Sequence, residues 1–322
     1  MAGLFQVFFW LSRDNLVTLN ENSFEKIESL SYSPFEGYDK NLLSSEQIAY
    51  DVNLFENFTN KLRTYGTLEA YKILQSSKDS NLPIDLGLWI GGDLEANNLE
   101  IQRALEILKE YPNRIQSVIV GNEVLLRKEL EPLELYAYID FMKSHTKKPV
   151  TTAETWDIWE KNPQLASHVD FLTIHILPYW EKVPIERYNE FIIEKYSVVE
   201  ELFPNRKIVI GETGWPSHGY NNNSAIPSIK NQAQAIRGFV NLAHEKGWHY
   251  NIIEALDQPW KGYDEGNVGQ YWGIFTTDRA LKFQLAGEVE LNQYWFYQMI
   301  AAIIIGALLT IFGLKNQRVN IS

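Results

Sequence analysis

The fold is decided by a pair of short apolar runs that each end in a glutamate: residues 115–123 read IQSVIVGNE and residues 207–213 read KIVIGET. Similar β-branched or apolar runs recur at intervals of about thirty residues, the length of one strand and one helix. Working outward from this pair, we predict eight strands in all. They lie near Ile27–Tyr32, Lys61–Tyr65, Ile84–Trp89, Ile115–Val120, Pro149–Ala153, Val169–Ile174, Lys207–Ile210 and Asn251–Ala255.

The segments between these strands carry apolar residues at helical spacing, for example in Leu99–Glu110, Leu133–Ser144 and Ile229–Lys246. Parallel strands that are each followed by a helix predict an α/β fold, a single (β/α)8 TIM barrel over residues 27–290. No glycine-rich phosphate fingerprint follows the first strand, which argues against an open dinucleotide-binding sheet. In such a barrel the functional residues lie at the carboxyl ends of the strands, so polar residues at those ends are the candidates.

The composition excludes several classes of function. A formal net charge of −12 over 322 residues argues against a nucleic-acid partner. The chain has no cysteine, so it can form neither disulfides nor cysteine-ligated metal sites. Its 6 histidines show no pairing at helical spacing, and we therefore predict no metal and no cofactor. A hydrophobic fraction of 45% is typical of a globular domain with a sizeable core.

A segment near the C-terminus has the composition of a membrane span. Residues 291–314 contain no charged side chain and are long enough to cross a bilayer. Aromatic residues lead into the segment and Lys315 and Arg318 follow it, an order that predicts a cytoplasmic end. We expect a transmembrane helix at residues 291–314 in contact with lipid, and a short cytoplasmic tail at residues 315–322. The alternative is a buried core helix.

This orientation places the barrel outside the cytoplasm and requires an export signal. The first residues form a short phenylalanine-rich run with no preceding Lys or Arg, a poor match to a signal peptide. We therefore predict that residues 1–26 are a leader or the remnant of an upstream membrane segment in a larger parent chain.

Two glutamates are the strongest candidates for chemistry. Glu123 follows the fourth strand and Glu212 follows the seventh, so both emerge at one end of the barrel, where their carboxyls can meet across the mouth. Glycosidases need such a pair, because one carboxyl protonates the leaving oxygen while the other attacks the anomeric carbon or activates water. From its position alone, Glu123 is equally well interpreted as a helix-initiating acid.

Polar and aromatic side chains at the other strand ends are candidates for binding a sugar, since aromatic faces stack on pyranose rings. For each of them, ordinary packing or a backbone hydrogen bond is the alternative interpretation. Trp156, Trp159 and Trp180 share these positions as well. The predicted substrate-binding residues are Asn122, Tyr32, Glu154, His175, Tyr179, Trp215, Gln258, Trp260 and Lys261.

Three motifs in this sequence resemble those of glycoside hydrolase family 17, in the same order along the chain. They are VGNE at residues 120–123, IGETGWPS at residues 210–217 and ALDQPWK at residues 255–261. The resemblance extends from about Ile27 to Leu285 and implies a barrel enzyme active on β-1,3-glucan. It also implies that Glu123 is the acid/base and Glu212 the nucleophile of a retaining mechanism. Asn122 would then contact the 2-hydroxyl of the reacting sugar.

One position departs from that pattern. Plant and fungal members typically carry a glutamate three residues before the lysine of the third motif, whereas this chain has Gln258 and Lys261. The segment from Asp257 to Phe283 is more similar to bacterial family 17 domains that are attached to membrane β-glucan synthases. That similarity implies a β-1,3-glucanosyltransferase that elongates or branches glucan, with a glucan synthase module as partner, on the periplasmic or extracellular side of the bacterial inner membrane. An endo-β-1,3-glucanase and a non-catalytic glucan-binding module are the alternatives.

Overall fold

The computed structural model describes residues 16–19, 24, 26–290 and 295–319. By its internal contacts the chain divides into two compact units. Residues 21–286 form the larger one, and residues 1–20 together with 287–322 form the smaller one.

Eight parallel strands of the larger unit close into a barrel, as the sequence predicts. Each strand pairs with its neighbours in chain order, and the last strand pairs with the first. The strands are β1 Leu30–Ser31, β2 Leu62–Arg63, β3 Ile84–Leu88, β4 Ile115–Asn122, β5 Val150–Thr155, β6 Leu172–His175, β7 Ile208–Thr213 and β8 His249–Ile252.

Helices follow the strands. They are α1 Ser45–Phe55, α2 Thr67–Ser76, α3 Leu94–Glu110, α4 Pro132–His145, α5 Trp156–Lys161, α6 Tyr188–Leu202 and α7 Ile229–Lys246. Side chains of Ser44, Asp93 and Ser228 accept backbone N–H groups at the starts of α1, α3 and α7, which satisfies donors that a helix cannot pair internally. Short 3₁₀ helices cover Pro163–Ser167, Ile185–Arg187, Pro259–Gly262 and Asn267–Tyr271.

Buried apolar and buried polar side chains alternate along the strands, as in Ser29, Leu30 and Ser31, because successive side chains of a strand point to opposite faces of the sheet. Leu30, Leu62 and Ile210 are fully buried, and each such side chain contributes roughly 1.5–3 kcal/mol through removal from water. Asn251 belongs to the polar set, because its amide nitrogen donates to Ser31 Oγ at 2.7 Å and to the Gly211 carbonyl at 3.1 Å. The core therefore supports a polar mouth built from strand ends.

All eight strands end one to three residues from their predicted carboxyl ends, and the shifts of β5 and β8 affect the site. Strand β5 extends two residues past the predicted end at Ala153, because Thr155 still pairs with His175 of β6. Strand β8 ends at Ile252, before the predicted end at Ala255. Beyond it the backbone of Ala255 bonds Ser31 and Phe275 instead of continuing the ladder.

The smaller unit contains a two-stranded antiparallel sheet and one long helix. Residues Leu16–Thr18 pair with Glu288–Glu290, and helix α8 spans Trp295–Val319. Its window Trp295–Phe312 has a mean hydropathy of 2.0 and is 0% buried, so by length and composition α8 is able to cross a membrane, and it is not a core helix. Of the predicted N-terminal segment, span and tail, residues 1–15, 20–23, 25, 291–294 and 320–322 lie outside the described residues.

Candidate active site

The turn after β4 directs Glu123 into the barrel mouth. The Glu123 amide donates to the Ala153 carbonyl at 2.7 Å, and the residue has a left-handed φ of 55°. Gly121 makes this turn possible, since its φ is 85° and a Cβ there would lie 2.5 Å from Val124 Cγ2. The glutamate is therefore held by its own backbone in a conformation that few residues adopt.

Glu154 anchors the same turn from below. It is fully buried, and its two carboxylate oxygens accept the amides of Leu125 at 2.7 Å and Leu126 at 3.3 Å. Burial raises the pKa of Glu154 to about 7, although both amide hydrogen bonds act in the opposite direction. Glu154 was predicted to bind substrate, but the structure places it beneath the Glu123 turn.

Glu212 lies on β7 and is 5% exposed. The residue before it, Gly211, permits close approach of β6, because a Cβ there would lie 2.4 Å from Thr173 Cγ2. The ladder between β6 and β7 shifts register at this point, so that Glu212 pairs with His175. Glycine at position 211 thus lets the carboxylate and the imidazole share the mouth.

Arg63, at the end of β2, joins the strand ends together and was not among the predicted site residues. Its side chain is 2% exposed, and its guanidinium donates to the Gly211 carbonyl at 2.5 Å and to Asn122 Oδ1 at 2.6 Å. The same group lies 3.4 Å from Glu212 Oε1. The rule that polar residues at strand ends are candidates would have found it. We name Arg63, Asn122, Glu123, His175 and Glu212 the catalytic cluster.

His175 sits between the two glutamates, and its tautomer follows from its neighbours. Both terminal nitrogens of Arg63 lie 3.3 Å from His175 Nε2, and a guanidinium can only donate, so Nε2 accepts. The proton is therefore on Nδ1, which donates to Glu123 Oε1 at 2.7 Å. In this arrangement the imidazole is neutral.

The surroundings of Glu123 act on its ionisation in two directions. Burial raises the pKa of Glu123, but the hydrogen bond from His175 and the positive charges of Arg63 and Arg127 outweigh burial and hold it below its usual value. The acid/base role that the family resemblance implies needs a protonated Glu123 in the first step. The geometry favours the carboxylate form instead, because a donor occupies Glu123 Oε1.

The residue types of the catalytic cluster also match a metal site, a possibility that the fixed charge of Arg63 weakens. One ligand atom each from Glu123, His175 and Glu212 lies within 4.8 Å of the others. However, the Arg63 guanidinium lies 3.3 Å from His175 Nε2 and 3.4 Å from Glu212 Oε1. A divalent cation bound to these atoms would therefore lie next to a fixed positive charge. The donor set fits a double-carboxylate centre better than a metal centre.

Two cavities meet at the carboxylate pair, and both are lined by Glu123, Glu212, Ile253 and Glu265. The aromatic cavity has a volume of about 340 Å³. The charged cavity has a volume of about 530 Å³. The aromatic cavity is further lined by Leu126, Thr155, Trp156, His175, Leu177, Trp180, Glu181 and Trp272. The charged cavity is further lined by Ser33, Phe35, Lys40, Tyr65, Gly66, Leu68, Glu69, Trp89, Glu100, Asn122, Arg127, Trp260, Lys261 and Asp264.

A hairpin after β1 forms one wall of the charged cavity. Residues Phe35–Glu36 pair antiparallel with Asn41–Leu42, and Lys40 Nζ lies 4.2 Å from the centre of the Trp260 ring. Cation–π contact of this kind orients the ring and covers part of its face. Trp260 therefore lines the cavity, as predicted, with Lys40 packed against it.

The loop after β8 keeps a negative charge beside Lys261. Lys261 Nζ bonds Glu254 Oε1 at 2.7 Å, and both groups are buried. Burial raises the pKa of Glu254 to about 7, with Lys261 acting in the opposite direction. Gln258 donates to the Ser33 carbonyl at 2.9 Å and accepts Trp260 Nε1 at 2.6 Å, so it fixes the loop. Glu254 therefore supplies a buried carboxyl beside Lys261, although residue 258 is a glutamine.

Three predicted stacking residues lie behind the cavities. Tyr32 donates to Asp51 Oδ2 at 2.8 Å, Tyr179 to the Tyr220 carbonyl at 2.6 Å, and Trp215 to the Ile226 carbonyl at 3.0 Å. All three are buried and line neither cavity.

The structure separates the predicted site residues into two groups. Those that it brings together at the mouth are Asn122, Glu123, His175, Glu212, Trp260 and Lys261. Those that line neither cavity are Tyr32, Glu154, Tyr179, Trp215 and Gln258.

A second buried charge cluster links the loops after β7 and β8. Lys282 Nζ donates to Asp257 Oδ1 at 2.6 Å and to Ser217 Oγ at 2.7 Å. Asp257 Oδ1 also accepts the Gly273 amide at 3.1 Å. Burial lowers the pKa of Lys282, with the charge of Asp257 acting in the opposite direction. We name Lys282, Asp257 and Ser217 the Lys282 cluster.

Comparisons with known proteins agree with this geometry. The family model of the BtgE/BtgC glycoside hydrolase domain matches residues 29–273. Over 255 residues the chain is 27% identical to a glucan 1,3-beta-glucosidase of Schizosaccharomyces pombe, covering 73% of this chain and 79% of that protein. It is 28% identical over 276 residues to a putative glucan endo-1,3-beta-glucosidase, btgC, of Aspergillus niger, covering 74% of this chain and spanning only 40% of that protein.

The fold is similar to solved structures as well. The crystal structure of a glycoside hydrolase family 17 β-1,3-glucanosyltransferase from Rhizomucor miehei matches with a TM-score of 0.73 at 24% sequence identity. The match covers 81% of this chain and 98% of that one. At this level of identity, the likeness establishes the shared fold.

Proposed function

Because this chain belongs to the family of BtgE/BtgC glycoside hydrolase domains, within glycoside hydrolase family 17, we propose that it cleaves β-1,3-glucan with retention and transfers the glucan to a sugar acceptor. The observation that carries the proposal is the convergence of Glu123 and Glu212 on His175, with one oxygen of each carboxyl within 4.8 Å of the other. A retaining mechanism needs carboxyls about 5–5.5 Å apart, whereas an inverting one needs room for a water between them.

In the first step, Glu212 attacks the anomeric carbon of the glucan. The bond from that carbon to the glycosidic oxygen breaks, the proton of Glu123 passes to that oxygen, and a covalent glycosyl ester forms on Glu212. Glu212 lines both cavities, so its carboxylate meets a glucan that binds there, while its buried Oε1 accepts no hydrogen bond within the described part of the chain. The Arg63 guanidinium at 3.4 Å provides a positive charge beside this carboxylate.

Glu123 has to exchange its proton between the two steps. A glucan chain in the mouth displaces water and places the glycosidic oxygen against Glu123, and the added desolvation favours the protonated acid. After the leaving group departs, the Nδ1–H of His175 stabilises the carboxylate form, which the second step needs as a base. His175 thus supports the basic half of the cycle.

The position of Asn122 orients the substrate. Asn122 lines the charged cavity but not the aromatic cavity. A contact between Asn122 and the 2-hydroxyl of the reacting sugar would therefore place the transferred glucan in the charged cavity. The leaving group and then the acceptor would occupy the aromatic cavity, where Trp156, Trp180 and Trp272 offer ring faces. A bound acceptor raises its own effective concentration at the ester, which favours transfer over hydrolysis.

An endo-β-1,3-glucanase is the second candidate. It would use the same first step and resolve the ester with water, which the opening of both cavities at Glu212 permits. A non-catalytic glucan-binding module is disfavoured, because Glu123 and Glu212 both line the cavities at the barrel mouth.

We also propose that α8 anchors the barrel in membrane lipid, since its apolar window is long enough to span a bilayer. A glucan synthase partner and a bacterial inner membrane stay predictions from the sequence. The two enzymes matched by sequence above are fungal, so they give no support to the bacterial placement.

The test is product analysis of the full chain in detergent with laminarihexaose in oxygen-18 water, with Glu212→Gln as control. Longer oligomers without label would establish transfer. Shorter labelled fragments would establish hydrolysis and overturn transfer. Equal absence of product from both proteins would contradict the enzyme proposal, and the same products from both would exclude Glu212 as nucleophile.

A further inference from the structure

A third carboxyl lies beside the reactive pair. Glu265 lines both cavities together with Glu123 and Glu212, on the loop between the 3₁₀ helices Pro259–Gly262 and Asn267–Tyr271. Its amide donates to the Lys261 carbonyl at 2.9 Å, which fixes the backbone at this point. The side chain therefore occupies the junction through which a glucan must pass from one cavity to the other.

The loop makes room for this carboxyl. A Cβ on Gly269 would lie 2.5 Å from Glu265 Cβ and 2.9 Å from Glu265 Oε2, so any larger residue at position 269 would displace the side chain. The absence of a side chain at Gly269 thus determines where the carboxyl points.

Lys261 and Arg63, two cationic groups near the mouth, have protein partners. Lys261 bonds Glu254 at 2.7 Å, and Arg63 bonds Gly211 and Asn122. Among residues 26–290, no hydrogen bond or ion pair reaches the Glu265 carboxyl. A carboxyl on a cavity wall without a protein partner is available to a ligand.

The electrostatic surroundings suit a hydroxyl ligand. Burial raises the pKa of Glu265, Lys261 acts in the opposite direction, and the charges of Glu212 and Glu123 raise it further. A carboxylate accepts hydrogen bonds and a protonated carboxyl also donates one, and a sugar hydroxyl is able to complement either form.

We propose that Glu265 is a further substrate-binding residue, which hydrogen-bonds a hydroxyl of the glucan where the chain crosses between the charged and aromatic cavities. This inference rests on the proposed function. It names a contact at the cleavage point that the motif comparison did not supply.

The test measures binding in the full chain, without turnover. Calorimetry with laminaritetraose would compare Glu212→Gln as the parent with doubles that add Glu265→Ala, Glu265→Gln or Glu201→Gln. The Ala change should weaken binding about ten- to a hundredfold, and the Gln change less, because an amide still bonds a hydroxyl. Glu201 is exposed on α6, so its Gln variant controls for lost charge and should bind like the parent.

Unchanged binding of the Glu265→Ala double would overturn this inference alone. Failure of the parent to bind, together with no turnover by the unmodified chain, would overturn the proposed function and this inference with it. Equal weakening by the Glu265→Ala and Glu201→Gln doubles would assign the effect to overall charge, and it too would overturn the contact.

Discussion

The catalytic cluster and the Lys282 cluster use similar residues at the same end of the barrel, yet they differ in how fully their bonds are made. In the Lys282 cluster, the ammonium has acceptors at 2.6 and 2.7 Å and Asp257 takes a further backbone amide. In the catalytic cluster, Glu212 Oε1 lies 3.4 Å from the Arg63 guanidinium but accepts no hydrogen bond within the described residues.

The difference indicates which buried charges stabilise the fold and which are available to a ligand. A saturated cluster has no capacity left for a ligand and therefore joins loops. A cluster in which a buried carboxylate oxygen beside a cavity lacks a hydrogen bond costs stability and keeps the capacity to bind a ligand or react. The following predictions test whether this division holds.

Glu212→Gln should have the largest effect, because it removes the open nucleophile and keeps the shape of the side chain. We expect kcat/KM for laminari-oligosaccharides to fall by at least about a thousandfold while the melting temperature stays close to that of the unmodified chain. Initial-rate assays and thermal melts measure both quantities, with Glu201→Gln as the matched control. Retention of a tenth of the activity would show that the open cluster is not the reaction centre.

Lys282→Met should act on stability. It leaves Asp257 buried without its cation, and removal of one partner of a buried pair costs about 3–5 kcal/mol in unfolding free energy. The double change Lys282→Met/Asp257→Leu should recover most of the loss, since neither charge remains. Urea unfolding followed by tryptophan fluorescence measures these differences. Activity lost without any change in stability would contradict the structural role of the cluster.

Glu154→Gln should change how stability varies with pH. Burial raises the folded-state pKa of Glu154 from 4.5 to about 7, so the ionised form destabilises the fold above pH 7 and not below pH 4.5. Glutamine never ionises, and the variant should therefore gain roughly 1–3 kcal/mol relative to the unmodified chain between pH 5 and pH 8. Melting curves at both pH values measure the gain. A relative loss at pH 8 would mean that the anchored carboxylate stabilises the turn.

His175→Phe should give the smallest effect, on the pH dependence of the rate. Loss of the Nδ1–H donor raises the pKa of Glu123, so the alkaline limb of kcat/KM should move to higher pH by about one unit, equivalent to one hydrogen bond. His168→Phe is the control, because His168 pairs with Asp140 away from both cavities. A limb that stays in place, or moves to lower pH, would remove His175 from the control of Glu123.

The barrel and the reactive pair follow from the sequence because both depend on regular features. Apolar runs at a steady interval specify the strands, and the architecture brings Glu123 and Glu212 to the same end whatever path the loops take. The family resemblance then assigned roles that the spacing alone left open.

The subsites did not follow, because a residue after a strand can face the cavity or the packing behind it. Tyr179 and Trp215 pack edge to face behind the cavities, with ring centres 5.7 Å apart, while Trp272 from a later loop lines the aromatic cavity. Glu254 was overlooked because β8 ends three residues earlier than expected. Loop paths depend on tertiary contacts that a single sequence does not display.

Arg63 has a consequence for how the protein is made. Its acceptors come from the ends of β4, β6 and β7, so they leave the ribosome long after Arg63 itself. A nascent chain that stops before residue 211 would contain the guanidinium, Asn122 and His175 but lack the Gly211 carbonyl and Glu212. Assembly of the catalytic cluster is therefore a late event in biosynthesis, and no nascent chain that ends before β7 carries a complete cluster.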